Sequence, residues 1–313
     1  MGLFALLKYG LPQVLKLRVL ETQRCCMARV LDLEYPHSPY MNLAIEEAVA
    51  LAVGRCKVSE TLRFWRNDRT IVIGLFQCPS LEVNFEECMR YGVRVVRRFT
   101  GGGAVYHDLG NLNFALSLRR DNPAIRERLF KGFELIGTAV EFGLKRIGVQ
   151  NVRFKPINSV LIEEHKAVGM ASLITKDFVF IHGSMLVNSD IVVLERVLKA
   201  SNTETNDRFV RSKRQKVITL KEALEDGVEI SEVKEAIIKG LEEVLDVEFI
   251  EEEITDYERR FADELYRKKY SKIEWSLGPC VSCPRRERDE MIFKRLTFED
   301  LRQQNHISVK SEC

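Results

Sequence analysis

The longest regular pattern in the chain runs through Ile125, Leu129, Phe133, Ile136, Val140, Leu144 and Ile147, at steps of three and four residues. That spacing places one apolar stripe along a helix. Asn122-Pro123 supplies a capping residue followed by proline at a first helical position, and Gly148 closes the segment. The pattern predicts a long amphipathic helix laid on a sheet. Further helices are predicted over 42–53, 190–199 and 231–244, with a short one capped by Asn84 and ending at Gly92. Alternating or β-branched runs predict strands at Arg29–Leu33, Leu62–Trp65, Thr70–Gly74, Val93–Arg97 and Asn113–Leu118, and short strands across 151–188. Strands and helices interleave, but many strands are short and hairpin-like. The expected class is α+β, with a mixed, largely antiparallel sheet packed with helices rather than a doubly wound parallel sheet.

Composition adds mainly exclusions. Of 313 residues, 45% are hydrophobic and 30% charged, enough for a sizeable core and against wholesale disorder. Forty-eight Lys+Arg against 46 Asp+Glu leave a net charge of +2, which gives no electrostatic case for a nucleic-acid partner. No apolar run approaches the roughly 18 residues of a spanning helix, so no membrane partner is expected. Eight cysteines are irregularly spaced, and the start MGLFALLKYG lacks the features of a signal peptide. Both point to the reducing cytoplasm. Residues 1–26 carry four cations against Glu21 alone. They read as a targeting peptide or as a non-native N-terminal extension, with the extension preferred. Cys280 and Cys283 form a lone CxxC that His306 and Cys313 could complete as a zinc site. The spacing after Cys283 fits no recognised pattern, so ordinary thiols are preferred and no metal site is expected.

Three segments carry candidate chemistry. The densest is RRFTGGGAVYHDLGNLN at 97–113. Three consecutive glycines permit positive φ and close backbone approach to a ligand, and their amides can meet phosphate or carboxylate oxygens. It is neither a Walker loop nor GxGxxG opening a helix. Arg97 and Arg98 should point to opposite faces, one structural and one toward a ligand. In the second segment, KPINSVLIEEHKAVGMAS, Lys166 sits among small and apolar residues as a partly buried cation in need of an anion. In the third, FIHGSMLV, His182 reads equally well as a core histidine and as a site residue.

Together these motifs, with MNLAIEEA, TLRFWRNDRTIVIG, VRSKRQKVITL and ELYRKKYSKIEW, resemble the lipoate–protein ligase A family across roughly 28–276. The resemblance implies a biotin/lipoate ligase-like catalytic domain over 27–276, between the extension 1–26 and a short tail, 277–313. It implies a two-step reaction with Mg²⁺ as cofactor: lipoate and ATP form lipoyl-adenylate and pyrophosphate, and the acyl group passes to a lysine of a lipoyl carrier domain. The carriers would be 2-oxoacid dehydrogenases or the glycine cleavage H protein. Lys166 would stand between carboxylate and α-phosphate as the catalytic cation. Arg98, Gly101, Gly102, Gly103, Ala104, Val105, Tyr106, Asn158 and His182 would join it in binding, with Val72 and Ile73 helping to form an apolar slot. Three departures stand out. Asn158 is followed by Ser159 where the family has an acid that helps hold Mg²⁺. Leu75 replaces an arginine. The 37 residues after 276 do not resemble the accessory domain of larger members, which suggests a separate small accessory protein. A carrier-to-carrier octanoyl or lipoyl transferase would need a cysteine near the lysine, and none lies between Cys88 and Cys280. A carrier-binding protein without activating chemistry is the third reading.

Overall fold

A computed structural model of the chain describes residues 26–125, 131–200, 209–224 and 227–278, together with 287, 290–292 and 294–296. The N-terminal segment up to residue 25 and Cys280, Cys283 and His306 lie outside them.

The described strands form two sheets. The larger contains β1 (Cys26–Asp32), β2 (Thr61–Trp65), β6 (Asn111–Arg119), β7 (Val152–Lys155), β8 (Ser159–Ile162), β9 (His165–Ile174), β10 (Phe178–Leu186) and β11 (Val247–Glu251). Their order is β11-β1-β2-β6-β10-β9-β8-β7. Only β1 pairs in parallel, with β11 and β2; the other ladders are antiparallel. The smaller sheet joins β3 (Thr70–Ile73) between β4 (Arg94–Arg97) and β5 (Val105–His107). The architecture is the expected α+β fold with a mixed, largely antiparallel sheet.

The period-two alternation of strands decides what each face of the large sheet carries. Leu112, Phe114, Leu116 and Leu118 on β6 and Val179 and Ile181 on β10 belong to one core cluster. Onto it pack α4 (Lys131–Arg146) and α7 (Ile230–Leu245), through Ile136, Val140, Leu144, Val233, Ile237 and Leu241. Each such side chain contributes about 1.5–3 kcal/mol when fully buried. The alternate residues, Ala115, Phe178 and Phe180 with Trp65 of β2, face the other way and cover Ala50 of α1 (Pro39–Gly54). Polar positions of that same face, Asn113 and His182, lie where the small sheet approaches.

Asn122 accepts from the Ala124 N–H at 2.8 Å, as a helix cap would. Residues 123–125 nevertheless form a turn, and the described helix runs from Lys131; 126–130 lie outside the described residues. The closing segment ELYRKKYSKIEW is not one helix. It runs from α8 (Asp256–Leu265) through a π-helical turn (Tyr266–Tyr270) to α9 (Ile273–Leu277). The π turn brings Lys269 to Glu47 of α1 at 2.6 Å and Tyr270 to the same carboxylate.

Helices α4 and α7 approach through glycine. A Cβ at Gly240 would stand 1.9 Å from the Ala139 carbonyl oxygen. Alanine gains about 1 kcal/mol of helix propensity over glycine, but a backbone overlap of that size must push the helices apart. Gly240→Ala is therefore expected to lower unfolding free energy by about 1–3 kcal/mol in denaturant titration. A stabilised variant would show that the two helices are not in this contact.

Candidate active site

The glycine-rich segment is shaped by Arg98. Its guanidinium donates to the carbonyl oxygens of Val72 at 3.0 Å, Gly101 at 2.6 Å and Gly103 at 2.8 Å, and to Thr100 Oγ1 at 3.0 Å. Burial lowers its pKa to about 10, opposed by Glu46 and aided by Arg97, so it stays charged at neutral pH. Gly102 takes φ +88°, where an added Cβ would stand 3.0 Å from Arg98 Nη2 and 3.3 Å from Ala171 Cβ. The sequence suggested one structural arginine and one facing a ligand. Both spend their donors on carbonyls: Arg97 reaches Gly74, Leu75 and Gln77 and the closing carbonyls of α9. Arg98 also lines the cavity that the loop borders.

That cavity has a volume of about 300 Å³. Of the anticipated residues, Arg98, Gly103, Ala104, Val105, Asn158, Lys166 and His182 line it, and so does Val72. A second, adjoining cavity of about 230 Å³ is walled by Tyr106, Leu186, Leu194 and Leu198 and shares Ala104, Val105 and Lys166 with the first. Gly101 and Gly102 line neither; they form the turn behind Gly103. Ile73 packs in the separate core under the small sheet instead of lining a slot.

Lys166 reaches this junction by a break in strand alternation. Gly169 and Ala171 of β9 line the first cavity. Lys166 has the opposite parity and would face away in a regular strand. Val160 of β8 pairs with Val168, but the next residue, Leu161, pairs with Lys166. Ala167 is thus an extra residue, a β-bulge, and it turns Lys166 to the cavity side. Gly169 leaves the lysine its room, since a Cβ there would stand 2.9 Å from Cε and 3.1 Å from Nζ. Burial lowers the Lys166 pKa. Among the described residues its ammonium has no hydrogen-bond acceptor or ion-pair partner.

His182 is bound at both nitrogens: Nδ1 lies 2.6 Å from Glu46 Oε1 and Nε2 2.8 Å from Thr100 Oγ1. It ties α1 to the glycine-rich loop while lining the cavity. Asn158 pairs with Met170 through both its backbone and its side chain. Sequence reasoning assigned no role to Glu46, Trp65, Asn67, His107, Asn113, Ser212 and Lys213, all of which line the first cavity. All seven lie inside the motifs above, but nothing in their spacing marks them. Burial, then Arg98 and His182, lowers the His107 pKa to about 3, so it is neutral.

Residues 38–242 match the family model of the lipoyl protein ligase A/B catalytic domain. The chain belongs to that family. It is 35% identical to lipoate-protein ligase A subunit 1 of Thermoplasma acidophilum over 259 residues, 80% of this chain and 96% of that protein. It is 30% identical to octanoyltransferase LipM of Brevibacillus brevis, over 77% of this chain and 95% of that one. Among solved structures, a bi-partite lipoate protein ligase from Thermoplasma acidophilum, described with its E2 lipoyl domain, superposes with TM-score 0.70 at 35% identity, covering 82% and 99% of the two chains. A lipoate-protein ligase A bound with ATP gives TM-score 0.68 at 34% identity, covering 80% and 99%. This lipoyl ligase family member therefore has relatives named as lipoate-protein ligases and relatives named as octanoyltransferases. No described helix is long and apolar enough to cross a membrane.

A valine at Gly102 must adopt a left-handed backbone and displace Arg98. Strain of that kind costs about 1–3 kcal/mol. With lipoic acid and ATP as probes, the ligands named in solved structures of relatives, the expected result for Gly102→Val is a modest fall in melting temperature and a loss of affinity of more than about tenfold, since the loop geometry is lost. Unchanged affinity in a destabilised variant would mark the loop as structural only.

Proposed function

We propose that the chain is an ATP-dependent lipoate–protein ligase. It joins lipoate to ATP as lipoyl-adenylate and passes the lipoyl group to a lysine of a lipoyl carrier domain, on a 2-oxoacid dehydrogenase or the glycine cleavage H protein. The observation that carries this reading is the position of Lys166, an ammonium without a partner among the described residues and shared by two adjoining cavities. Adenylation brings two anions together, so it needs fixed positive charge where they meet. The first cavity, with Leu43, Trp65 and Val72 on its wall, suits the acyl arm. The second, with apolar walls beside Lys213 and Arg214, suits a base with its phosphates.

In the first step a carboxylate oxygen of lipoate attacks the α-phosphorus, and the bond to the bridging oxygen breaks to release pyrophosphate. Lys166 offsets the repulsion between the anions and the charge on the in-line phosphoryl group. In the second step the neutral amine of the carrier lysine attacks the acyl carbon, AMP leaves, and the amine loses a proton. Arg98 holds the loop and His182 holds Thr100, so the backbone does not reorganise as charge shifts.

The donor set does not fit a protein-held Mg²⁺. Ser159 stands where the family has an acid. The acids along the two cavities, Glu46 and Glu195, already face His182 and Arg214. No group of three or more His, Cys, Asp or Glu converges among the described residues.

The relatives named octanoyltransferase favour a second reading, acyl transfer through a thioester. Against it, among the described residues Cys56, Cys78 and Cys88 line neither cavity. The Thermoplasma relative is named as a subunit, which supports a separately encoded accessory protein for this chain. Exchange of labelled pyrophosphate into ATP, dependent on lipoate and measured with and without that protein, tests the proposal. Exchange in either arm is expected. Its absence in both, alongside carrier-to-carrier octanoyl transfer, would replace the ligase by the transferase.

Two variants of this measurement follow. Lys166→Ala should remain folded and lose adenylate formation. In the unaltered protein the catalytic form of Lys166 is protonated, and burial lowers its pKa from 10.5. Activity should be full at lower pH and fall as pH rises through a value below 10.5. A rate that holds level to pH above that of an ordinary lysine would contradict the assignment.

A further inference from the structure

Ser212 lies on the segment that closes one wall of both cavities and is 9% exposed. A serine hydroxyl has one hydrogen to give and two lone pairs to fill. Both lone pairs are taken. The Ala104 N–H donates to Oγ at 2.8 Å and Gln77 Nε2 at 3.1 Å. The Gln77 amide has a fixed orientation, because its Oε1 accepts from the Gly74 N–H at 2.8 Å. With two N–H groups pointing at Oγ, the Ser212 hydrogen must be directed elsewhere, and among the described residues it has no acceptor.

The residue is also held in place. Buried Glu82 accepts from the Ser212 N–H at 3.1 Å and from Arg211 Nε at 2.8 Å. Lys166 and Lys213 line the same two cavities, so an acceptor arriving there meets positive potential and is anionic. The Ala104 amide belongs to the glycine-rich loop but is spent on Ser212. Its dipole reaches a ligand only through the hydroxyl, which two incoming donors polarise.

We infer that the Ser212 hydroxyl is a substrate-binding group that donates to an anionic phosphoryl oxygen of the nucleotide, where the two cavities meet. The inference rests on the adenylating reading above. It assigns the basic segment 211–217 a specific contact in addition to bulk charge.

The test compares AMP, adenosine and lipoate, each titrated separately into the full chain by calorimetry. Ser212→Ala should weaken AMP binding by about 10- to 100-fold, the loss expected for one hydrogen bond to a charged group, and leave adenosine and lipoate within about threefold. Ser212→Thr keeps the hydroxyl and should retain AMP affinity. Ser212→Ala also strips an acceptor from Ala104 and Gln77, and the adenosine arm reads that structural effect. Equal losses of AMP and adenosine would make Ser212 a structural tie and overturn the inference. A loss confined to lipoate would move the contact to the carboxylate and overturn it as well. If the unaltered chain binds AMP, adenosine and lipoate all undetectably, the functional reading itself fails.

Discussion

Strand β9 carries one residue more than β8 between Val168 and Lys166, and the ammonium enters the cavity because of it. The bulge has a second consequence. The Lys166 N–H donates to the Lys216 carbonyl at 2.9 Å, and its own carbonyl accepts from the Ile218 N–H at 3.2 Å. The backbone freed from regular pairing therefore anchors the basic segment that closes the site. Opposite it, Arg98 fixes the glycine-rich loop by donating to that loop's own carbonyls. One irregularity and one buried cation bring two distant stretches of sequence to either side of the same cavity.

The charges around the cavity divide into those already committed and those left available. Arg97 and Arg98 are bound to carbonyls, and Arg211 is paired with the buried Glu82. These hold geometry. Lys166 is different, because burial penalises its charge and no described acceptor compensates. An ammonium left in that condition gains more from an arriving anion than a paired one would. The paired arginines supply rigidity, and the proposed reaction calls on the buried cation whose charge is uncompensated, as in preorganised electrostatic catalysis.

The α+β class, most strands and the helices α1, α4 and α7 were legible, because period-two and three-four spacing record which face is buried. The motif order exposed the family and part of the cavity lining. What stayed hidden depended on pairing between distant segments. A bulge at Ala167 has no signature in HKAVGMA, so nothing indicated which way Lys166 points. The two arginines looked like a division of labour until their carbonyl partners were placed. Glu46, His107 and Ser212 were ordinary polar residues in sequence, and only the fold gathers them around one space. The π-helical turn at Tyr266–Tyr270 likewise has no signature in ELYRKKYSKIEW.

The central claim is that Lys166 stands where the acyl carboxylate and the α-phosphate meet. A crystal structure of the chain with lipoyl-adenylate bound measures this directly. The account predicts Lys166 Nζ within about 3 Å of both an acyl oxygen and a phosphoryl oxygen, with the acyl arm in the cavity lined by Trp65 and Val72. An adenylate bound with its mixed anhydride out of reach of Lys166 would contradict it.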